Sequence, residues 1–351
     1  MRLRPGSPST NAPTYSSAQR RRSWTVADAV SRHWLGGESA RKVAGVGNRR
    51  LVLLIPLTLS FVVGASPGEA IRATSGAARN GPVTVITGTA GGVVSAVLPP
   101  GRLGAVYNCN CELASIDWAP DGKRLAFAAA TVSRPSPFNG VHIRDMATGK
   151  DRHLRRDGFD LAWSADGRRI AYVEWATFGY RHGTINVLDA RTARRERIIE
   201  TGSEGTDSSP SWSPRGDRLA FASLNKGVST ISVIALNGLK RTVLARRGSA
   251  PAWSPLGDKI AYRGDCGIQL VSPAGRDVTP RRRRRCRGIG VVGRPFWSPD
   301  GRRIGIQTRH GIYAMKANGS DLGLLLTSES GFGPFSTGVP TWRPQSPSPP
   351  T

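Results

Sequence analysis

The sequence predicts an all-β protein, a six-bladed β-propeller of four-stranded blades whose ring is closed by strands from both ends of the chain. Two observations support this fold class. A hairpin sequence centred on Trp recurs at spacings of 41 to 49 residues, which is typical of propeller blades. In addition, 42 glycines and 25 prolines among 351 residues, with only 21% charged residues, suit a turn-rich β protein.

The N-terminal region indicates export. Residues 1–50 contain ten Lys and Arg against two acids, and we interpret them as a basic, disordered leader. Residues 51–70 follow as a signal peptide or an N-terminal membrane anchor. Their core, residues 51–65, is apolar and uncharged but shorter than the roughly 20 residues of a membrane span. Either alternative predicts that the rest of the chain is periplasmic, secreted or anchored on the outer side of the membrane.

The repeated hairpin reads PSWSPRGDRLAFAS at residues 210–223. Near-copies start at residues 115, 160, 250 and 294, and a truncated copy occupies residues 339–345. We predict that each copy contributes a Trp that fills the space between blades and, where complete, a Gly at a left-handed turn position. These structural residues are Trp118, Gly122, Trp163, Gly167, Trp212, Gly216, Trp253, Gly257, Trp297, Gly301 and Trp342.

Each complete copy is a strand, a tight turn and a second strand. In the turn, Pro fixes φ, Asp bonds back to the backbone, and Gly takes a conformation that a Cβ disfavours. The second strand alternates large apolar residues such as Leu219 and Phe221 with Ala, so that a large residue of one sheet fits beside a small one of the next. A single four-stranded sheet cannot bury two apolar faces, so the unit repeats until the ring closes.

Two further strand-like runs follow each complete hairpin, and the two ends of the chain supply the sixth blade. Residues 82–98 have the second half of a blade without a Trp hairpin, and Trp342 begins a blade that does not continue. The propeller is therefore predicted over residues 80–345, followed by a Pro/Ser tail at residues 346–351.

The Trp-Ser-Pro-Asp-Gly turn followed by Ile or Leu, Ala, and Phe or Tyr resembles the propeller repeats of the TolB family. The resemblance covers about residues 80–345 and implies an exported six-bladed propeller that acts through protein contacts. TolB carries an α/β domain ahead of its propeller. We expect this chain to lack that domain, because about fifteen residues separate the apolar run from the first predicted strand.

Four cysteines are compatible with an exported chain, in which disulfides persist. We predict a disulfide between Cys266 and Cys286, with four unpaired thiols as the alternative. The pairing of Cys109 and Cys111 stays open. A metal site at these two residues lacks the second Cys pair or the nearby His that zinc spacing requires.

The formal net charge of +26 predicts anionic partners. Its densest part is a candidate patch for an anionic partner, formed by Arg281, Arg282, Arg283, Arg284, Arg285 and Arg287. A solvated loop is the alternative interpretation of this run. We expect a protein, an anionic envelope polymer or a lipid as the partner, and membrane contact through residues 51–65. Nucleic acid is not expected, because the chain is predicted to be exported and no aromatic residues interleave the arginines.

No residue is predicted to be catalytic or to bind a metal or cofactor. The string GASPG at residues 64–68 matches a nucleophile-elbow pattern but lies in the signal-like segment, and the five histidines have no metal-ligand spacing. We therefore predict a monomeric, non-enzymatic scaffold that binds protein or anionic envelope components. The alternative is a propeller that binds or hydrolyses a small molecule, of sugar or lactone type, in its central channel. That alternative requires carboxylates or histidines that converge from several blades, and no regular sequence position carries them.

Overall fold

The computed structural model describes residues 79–87, 93–98, 102–109, 111–129, 139–175, 183–199, 205–237, 240–265, 267–280, 290–327 and 340–345. Within these ranges the chain forms 23 β-strands in six antiparallel sheets, which confirms the predicted all-β propeller class. The described ranges contain no helix that is long and apolar enough to cross a membrane. The predicted leader, signal or anchor segment and tail lie outside the described residues.

The first twelve strands in chain order are β1 (Arg79–Thr87), β2 (Val93–Leu98), β3 (Arg102–Asn108), β4 (Leu113–Trp118), β5 (Arg124–Ala129), β6 (Gly140–Asp145), β7 (Asp151–Arg155), β8 (Phe159–Trp163), β9 (Arg169–Trp175), β10 (Gly183–Asp189), β11 (Arg195–Ile199) and β12 (Gly205–Trp212). The others are β13 (Arg218–Asn225), β14 (Val228–Ala235), β15 (Arg241–Arg246), β16 (Ser249–Trp253), β17 (Ile260–Gly264), β18 (Gly267–Val271), β19 (Phe296–Trp297), β20 (Arg303–Thr308), β21 (Gly311–Lys316), β22 (Gly323–Thr327) and β23 (Thr341–Gln345).

The sheets follow one another in a closed ring. The first sheet has the order β23-β1-β2-β3, and the next five begin with β4, β8, β12, β16 and β19. These six leading strands, here called the axial strands, contact one another in cyclic order, from β23 to β4 and onward until β19 returns to β23. The axial strands therefore surround a common axis, and the other strands of each sheet lie progressively farther from it.

The two ends of the chain close the ring through one sheet, as predicted. β23 pairs antiparallel with β1, with Thr84 opposite Thr341, and the Thr84 hydroxyl donates to the Thr341 carbonyl oxygen at 3.0 Å. The indole N–H of Trp118, on the second sheet, donates to the same Thr84 hydroxyl at 2.9 Å. The closing pair is thus bonded directly to the neighbouring sheet.

The apolar core is divided among the seams between adjacent sheets. Among the described residues it consists of six clusters. Five of them include a buried repeat tryptophan, and the partly buried Trp342 packs against the sixth. In the second strand of the fourth sheet, Leu219 and Phe221 pack toward the third sheet, whereas Ala220 and Ala222 pack toward the fifth. The large and small faces therefore interlock around the ring, and burial of these seams is what makes each sheet depend on its neighbours.

The prediction of four strands in every blade is wrong for the fifth sheet, which has three strands in the described part of the chain. Beside β18 the pairing is reduced to a single bridge between Val271 and Asp277. The Val278 N–H donates to the Leu270 carbonyl oxygen at 3.0 Å, but beyond this bond the Leu270 N–H donates to the Thr279 hydroxyl at 2.9 Å and not to a backbone oxygen. Pro280, which follows, has no N–H to continue the pairing.

Candidate functional site

Three charged side chains from different sheets meet at the axis. They are Asp117 on β4, Asp160 on β8 and Arg294, which precedes β19. The Arg294 Nε donates to the Pro251 carbonyl oxygen at 3.0 Å, and its Nη1 is 3.5 Å from Oδ1 of Asp160. Its Nη2 also donates to the carbonyl oxygen of Pro210. One guanidinium from the sixth sheet thus bonds to the third, fourth and fifth sheets.

A bulge in the axial strand β8 places Asp160, and the same bulge occurs in β12 and β16. Asp160, Ser209 and Ala250 each lie three residues before a repeat Trp and have left-handed φ values of 56°, 54° and 52°. The pairing with the second strand shifts register at each of these points. A bulge re-aims a side chain. Arg294 also lies three residues before a Trp, and its contact with Asp160 must cross the axis because the third and sixth sheets are on opposite sides of the ring.

Asp117 joins the first three sheets. Its Oδ2 accepts from the Trp163 backbone N–H at 2.8 Å, and its Oδ1 accepts from the Thr341 hydroxyl at 3.2 Å. Burial raises the pKa of the Asp117 carboxyl to about 6, although these hydrogen bonds and the charge of Arg294 act in the opposite direction. Burial also lowers the pKa of Arg294, against the stabilising charges of Asp160 and Asp117.

The axial cluster of Asp117, Asp160 and Arg294 is bonded largely to the protein itself. Asp160 Oδ2 accepts from the Ser209 N–H at 2.6 Å, and the Arg294 and Asp160 side chains are only 10% and 19% exposed. A general base needs hydrogen-bond reach to a proton of the substrate. These groups instead link all six sheets to one another, an arrangement suited to holding the ring closed.

The sequence interpretation missed this cluster, although a signal for it exists. Counting back from each Trp, the third residue is Ser115, Asp160, Ser209, Ala250 or Arg294 in the five complete copies. Two of these five positions carry opposite charges, and the others are small. A search for charge at fixed offsets from the Trp would have found Asp160 and Arg294.

The turns of the repeats form a second structural set. Gly122, Gly167, Gly216, Gly257 and Gly301 all have left-handed φ values, from 65° to 80°. At three seams an Arg of one sheet covers the Trp ring of the next sheet and donates to the carbonyl oxygen of its turn Gly. Arg343, Arg124 and Arg169 lie 4.5, 5.0 and 4.7 Å from the ring centres of Trp118, Trp163 and Trp212. These cation–π contacts link adjacent blades at their turns.

The Gly122→Ala variant is expected to lose about 2 kcal/mol of unfolding free energy. An added Cβ would take a left-handed φ of 65° and would also meet the Pro344 carbonyl oxygen of the closing strand. Gly227→Ala is the matched control, since Gly227 has φ 78° and no atom within 4 Å of the added Cβ. The control should lose only about 1 kcal/mol in urea unfolding. If both variants lost the same unfolding free energy, the contact with the closing strand would not be the cause of the loss in Gly122→Ala.

The cysteine and arginine predictions lie mostly outside the described residues. This applies to Cys266 and Cys286 and to the candidate patch of residues 281–285 and Arg287. Cys109 and Cys111 are described and form a disulfide in the connection between β3 and β4. Among the residues that the structure describes, no group of three or more His, Cys, Asp or Glu side chains is arranged to hold a metal ion.

Comparisons with known proteins agree with this geometry. The family model described as the TolB beta propeller domain matches residues 159–269, which run from β8 into β18. A "Protein TolB homolog" of Chlorobium chlorochromatii is 35% identical over 108 residues, covering 30% of this chain and 22% of that protein. Another, of Chlorobium luteolum, is 33% identical over 120 residues, covering 34% of this chain and 25% of that protein. The matches thus span about a quarter or less of the curated relatives.

Among solved structures, TolB from Acinetobacter baumannii superposes with a TM-score of 0.56 and 17% identity. The superposition covers 76% of this chain and 67% of that one. At this level of identity, the similarity shows a shared fold.

Proposed function

We propose that this chain, which is a TolB-like β-propeller, acts as an exported, non-enzymatic scaffold that binds protein or anionic envelope components. Export is inferred from the apolar segment at residues 51–65, and the attachment state follows from whether that segment is cleaved. We further propose that the propeller is monomeric and that it contacts its partner through its outer surfaces and not through its axis.

The observation that carries this proposal is the occupation of the axis by Arg294. Its guanidinium bonds to Asp160 and to the backbone oxygens of Pro210 and Pro251. An enzyme of the channel type needs acids or bases that can reach a substrate. Here Asp117 and Asp160 already accept hydrogen bonds from Thr341 and from backbone N–H groups. The alternative, a small molecule bound in the channel, is supported by the convergence of these two carboxylates.

The charge of the surface supports anionic partners. Exposed cations lie at the turns beside the outer strands of the second, third and fourth sheets, namely Lys150, Arg191, Arg194 and Lys240. The acids of these turns are held by the backbone. Asp145 and Asp189 each accept N–H bonds two and three residues onward, and these bonds lower the pKa of both carboxyls. The two carboxylates stay ionised and are hydrogen-bonded within their own turns. The four exposed cations at these turns outnumber them.

The proposal is tested with the exported form of the protein. Surface-crosslinked cells are expected to yield a specific envelope partner in a pull-down, and liposomes of anionic lipid or acidic wall polymer should retain the protein in a salt-sensitive way. Replacement of Arg281, Arg282, Arg283, Arg284 and Arg285 by Ala should weaken that retention. Unchanged retention would remove the arginine patch as a contact. Turnover of a sugar lactone that is lost in Asp160→Asn would instead support the channel alternative.

A further inference from the structure

The disulfide between Cys109 and Cys111 lies outside both the axial cluster and the turns of the repeats. It belongs to the connection between β3, the outer strand of the first sheet, and β4, the axial strand of the second. The two cysteines are separated by 2 positions in sequence, so the bond closes a very short loop. A bond across so short a loop removes little conformational entropy from the unfolded chain and stabilises the fold only weakly.

The ring makes equivalent connections without a disulfide. Residues 156–158 connect the second sheet to the third, and residues 247–248 connect the fourth to the fifth. Both pass from an outer strand to the next axial strand, as the connection with the disulfide does, and neither contains a cysteine. Burial of apolar side chains at the seams already holds the sheets together. The needs of the fold therefore do not account for the disulfide at Cys109 and Cys111.

The two cysteines differ in their access to solvent. Cys111 is only 6% exposed and belongs to the apolar core cluster that also contains Leu113 and Phe127. Cys109 is half-buried at the edge of the same cluster and follows the exposed Asn108. Thiol–disulfide exchange begins when a thiolate attacks one sulfur of the bond, which requires access to that sulfur. An incoming thiolate can therefore reach Cys109, and Cys111 is the leaving group.

The backbone at this disulfide favours the reduced form of Cys109. The Cys111 N–H donates to Cys109 Sγ at 3.2 Å. Such a hydrogen bond becomes stronger when the sulfur carries the negative charge of a thiolate. It thus stabilises the product of reduction more than the disulfide, and a disulfide whose reduced form is stabilised acts as an oxidant. Cys109 is therefore the accessible, stabilised thiolate of an asymmetric pair, and the buried Cys111 closes the bond with it.

We propose that Cys109 and Cys111 form an exchange site that oxidises a dithiol, namely a pair of cysteines in another polypeptide. A thiolate of the dithiol attacks Cys109 Sγ and forms a mixed disulfide, while Cys111 Sγ leaves with the electron pair of the broken bond and takes up a proton. The second thiol of the substrate loses its proton and attacks its own sulfur in the mixed disulfide, which releases Cys109 as a thiolate. The substrate leaves as a disulfide and the chain as its dithiol, with two electrons transferred. Each chain transfers one disulfide, so this inference goes beyond the proposed scaffold function and does not rest on it.

Incubation of the full, folded, oxidised chain with a reduced two-cysteine peptide tests this inference. About one equivalent of peptide disulfide should form per chain. The tryptic peptide of residues 103–123, which contains Cys109, Cys111 and no other cysteine, should become reactive to alkylation, as measured by mass. The thermal unfolding temperature of the reduced chain should fall by no more than a few degrees. A disulfide that persists in the folded chain, or that is reduced only when the chain unfolds, would overturn the proposal.

The double variant Cys109→Ala with Cys111→Ala is the control for the source of the oxidant. It leaves Cys266 and Cys286 in place and should form no peptide disulfide above the background of the peptide alone. Undiminished oxidation of the peptide by this variant would overturn the assignment to Cys109 and Cys111.

Two single variants, each the matched control of the other, test which sulfur is attacked. Cys111→Ala leaves Cys109 as a thiol, and Cys109→Ala leaves Cys111 as a thiol. With oxidised glutathione, the Cys109 thiol should form a mixed disulfide at least about tenfold faster than the Cys111 thiol, because it is accessible and its thiolate accepts the N–H bond. The mass of the peptide of residues 103–123 follows this reaction. Equal rates, or a faster reaction of Cys111, would overturn the assigned order of attack.

Discussion

Arg294→Met is expected to lower the unfolding free energy by about 3 to 5 kcal/mol. The change removes the guanidinium that bonds to the third, fourth and fifth sheets and leaves the partly buried Asp160 carboxylate without its counter-ion. It also removes the positive charge that favours ionisation of Asp117. Met retains much of the side-chain volume, so loss of charge and hydrogen bonds accounts for most of the effect. Urea unfolding followed by Trp fluorescence measures it.

Arg302→Met provides the matched control for this prediction. Arg302 lies in the turn of the same sheet, and its side chain is exposed. Its replacement should change the unfolding free energy by no more than about 0.5 kcal/mol. A double variant, Arg294→Met with Asp160→Asn, should recover part of the loss because the uncompensated carboxylate is gone. If Arg294→Met is as stable as Arg302→Met, the axial bonds do not hold the ring.

The propeller could be predicted from the sequence because its main determinants are local. A window of about fourteen residues contains all of them: the Trp, the Gly at the left-handed position of the turn, and the alternating Leu, Ala and Phe that follow. Gly216 has φ 68° and Trp212 lies in the core cluster at the seam of the third and fourth sheets, as a repeated hairpin requires. Closure of the ring could also be predicted, because a truncated Trp hairpin stands at one end of the chain and strands without such a hairpin stand at the other.

The axial cluster could not be predicted in the same way, because its contacts join residues that are distant in sequence. Arg294 and Asp160 are separated by 134 residues, and Asp117 and Thr341 by 224. The approach of Arg294 to Asp160 depends on the bulge at Asp160, and no residue type marks such bulges, which occur at Asp160, Ser209 and Ala250 alike.

The prediction of a fourth strand in the fifth sheet was wrong for a different reason. The apolar pattern of residues 267–279 allows a return strand, and the prediction followed the pattern. In the structure, the Leu270 carbonyl oxygen still accepts from the Val278 N–H at 3.0 Å, but the Leu270 N–H donates to the side-chain hydroxyl of Thr279, and the backbone pairing goes no further. A side chain that replaces backbone partners leaves no periodic trace in the sequence.

The protein is expected to lose stability as the pH rises from about 4 to about 7. Two buried carboxyls determine this direction. Burial raises the pKa of Asp117 to about 6, against the effects of its hydrogen bonds and of Arg294. Burial likewise raises the pKa of Asp207 to about 6, against its hydrogen bond with Ser223 and the charge of Arg241. In the unfolded chain both groups return to the ordinary Asp value of about 3.9.

The sign follows from proton binding. Between about pH 4 and pH 6 the folded protein holds more protons on Asp117 and Asp207 than the unfolded chain does, so a rise in pH favours unfolding. The stabilisation is complete below the unfolded pKa and is lost as the pH passes through the folded pKa. Acids with lowered pKa values, such as Asp145 and Asp189, act in the opposite direction, but their contribution is lost below about pH 4.

Urea midpoints measured from about pH 4.5 to pH 7.5 should therefore fall, with a total loss of about 2 to 4 kcal/mol. Asp117→Asn and Asp207→Asn should each remove part of that slope, because the amide is neutral throughout. Asp265→Asn, at an exposed turn, should retain the wild-type slope. A stability that rises over this range would mean that Arg294 and Arg241 outweigh burial at the two carboxyls, and the axial charges would then stabilise the ring in their ionised form.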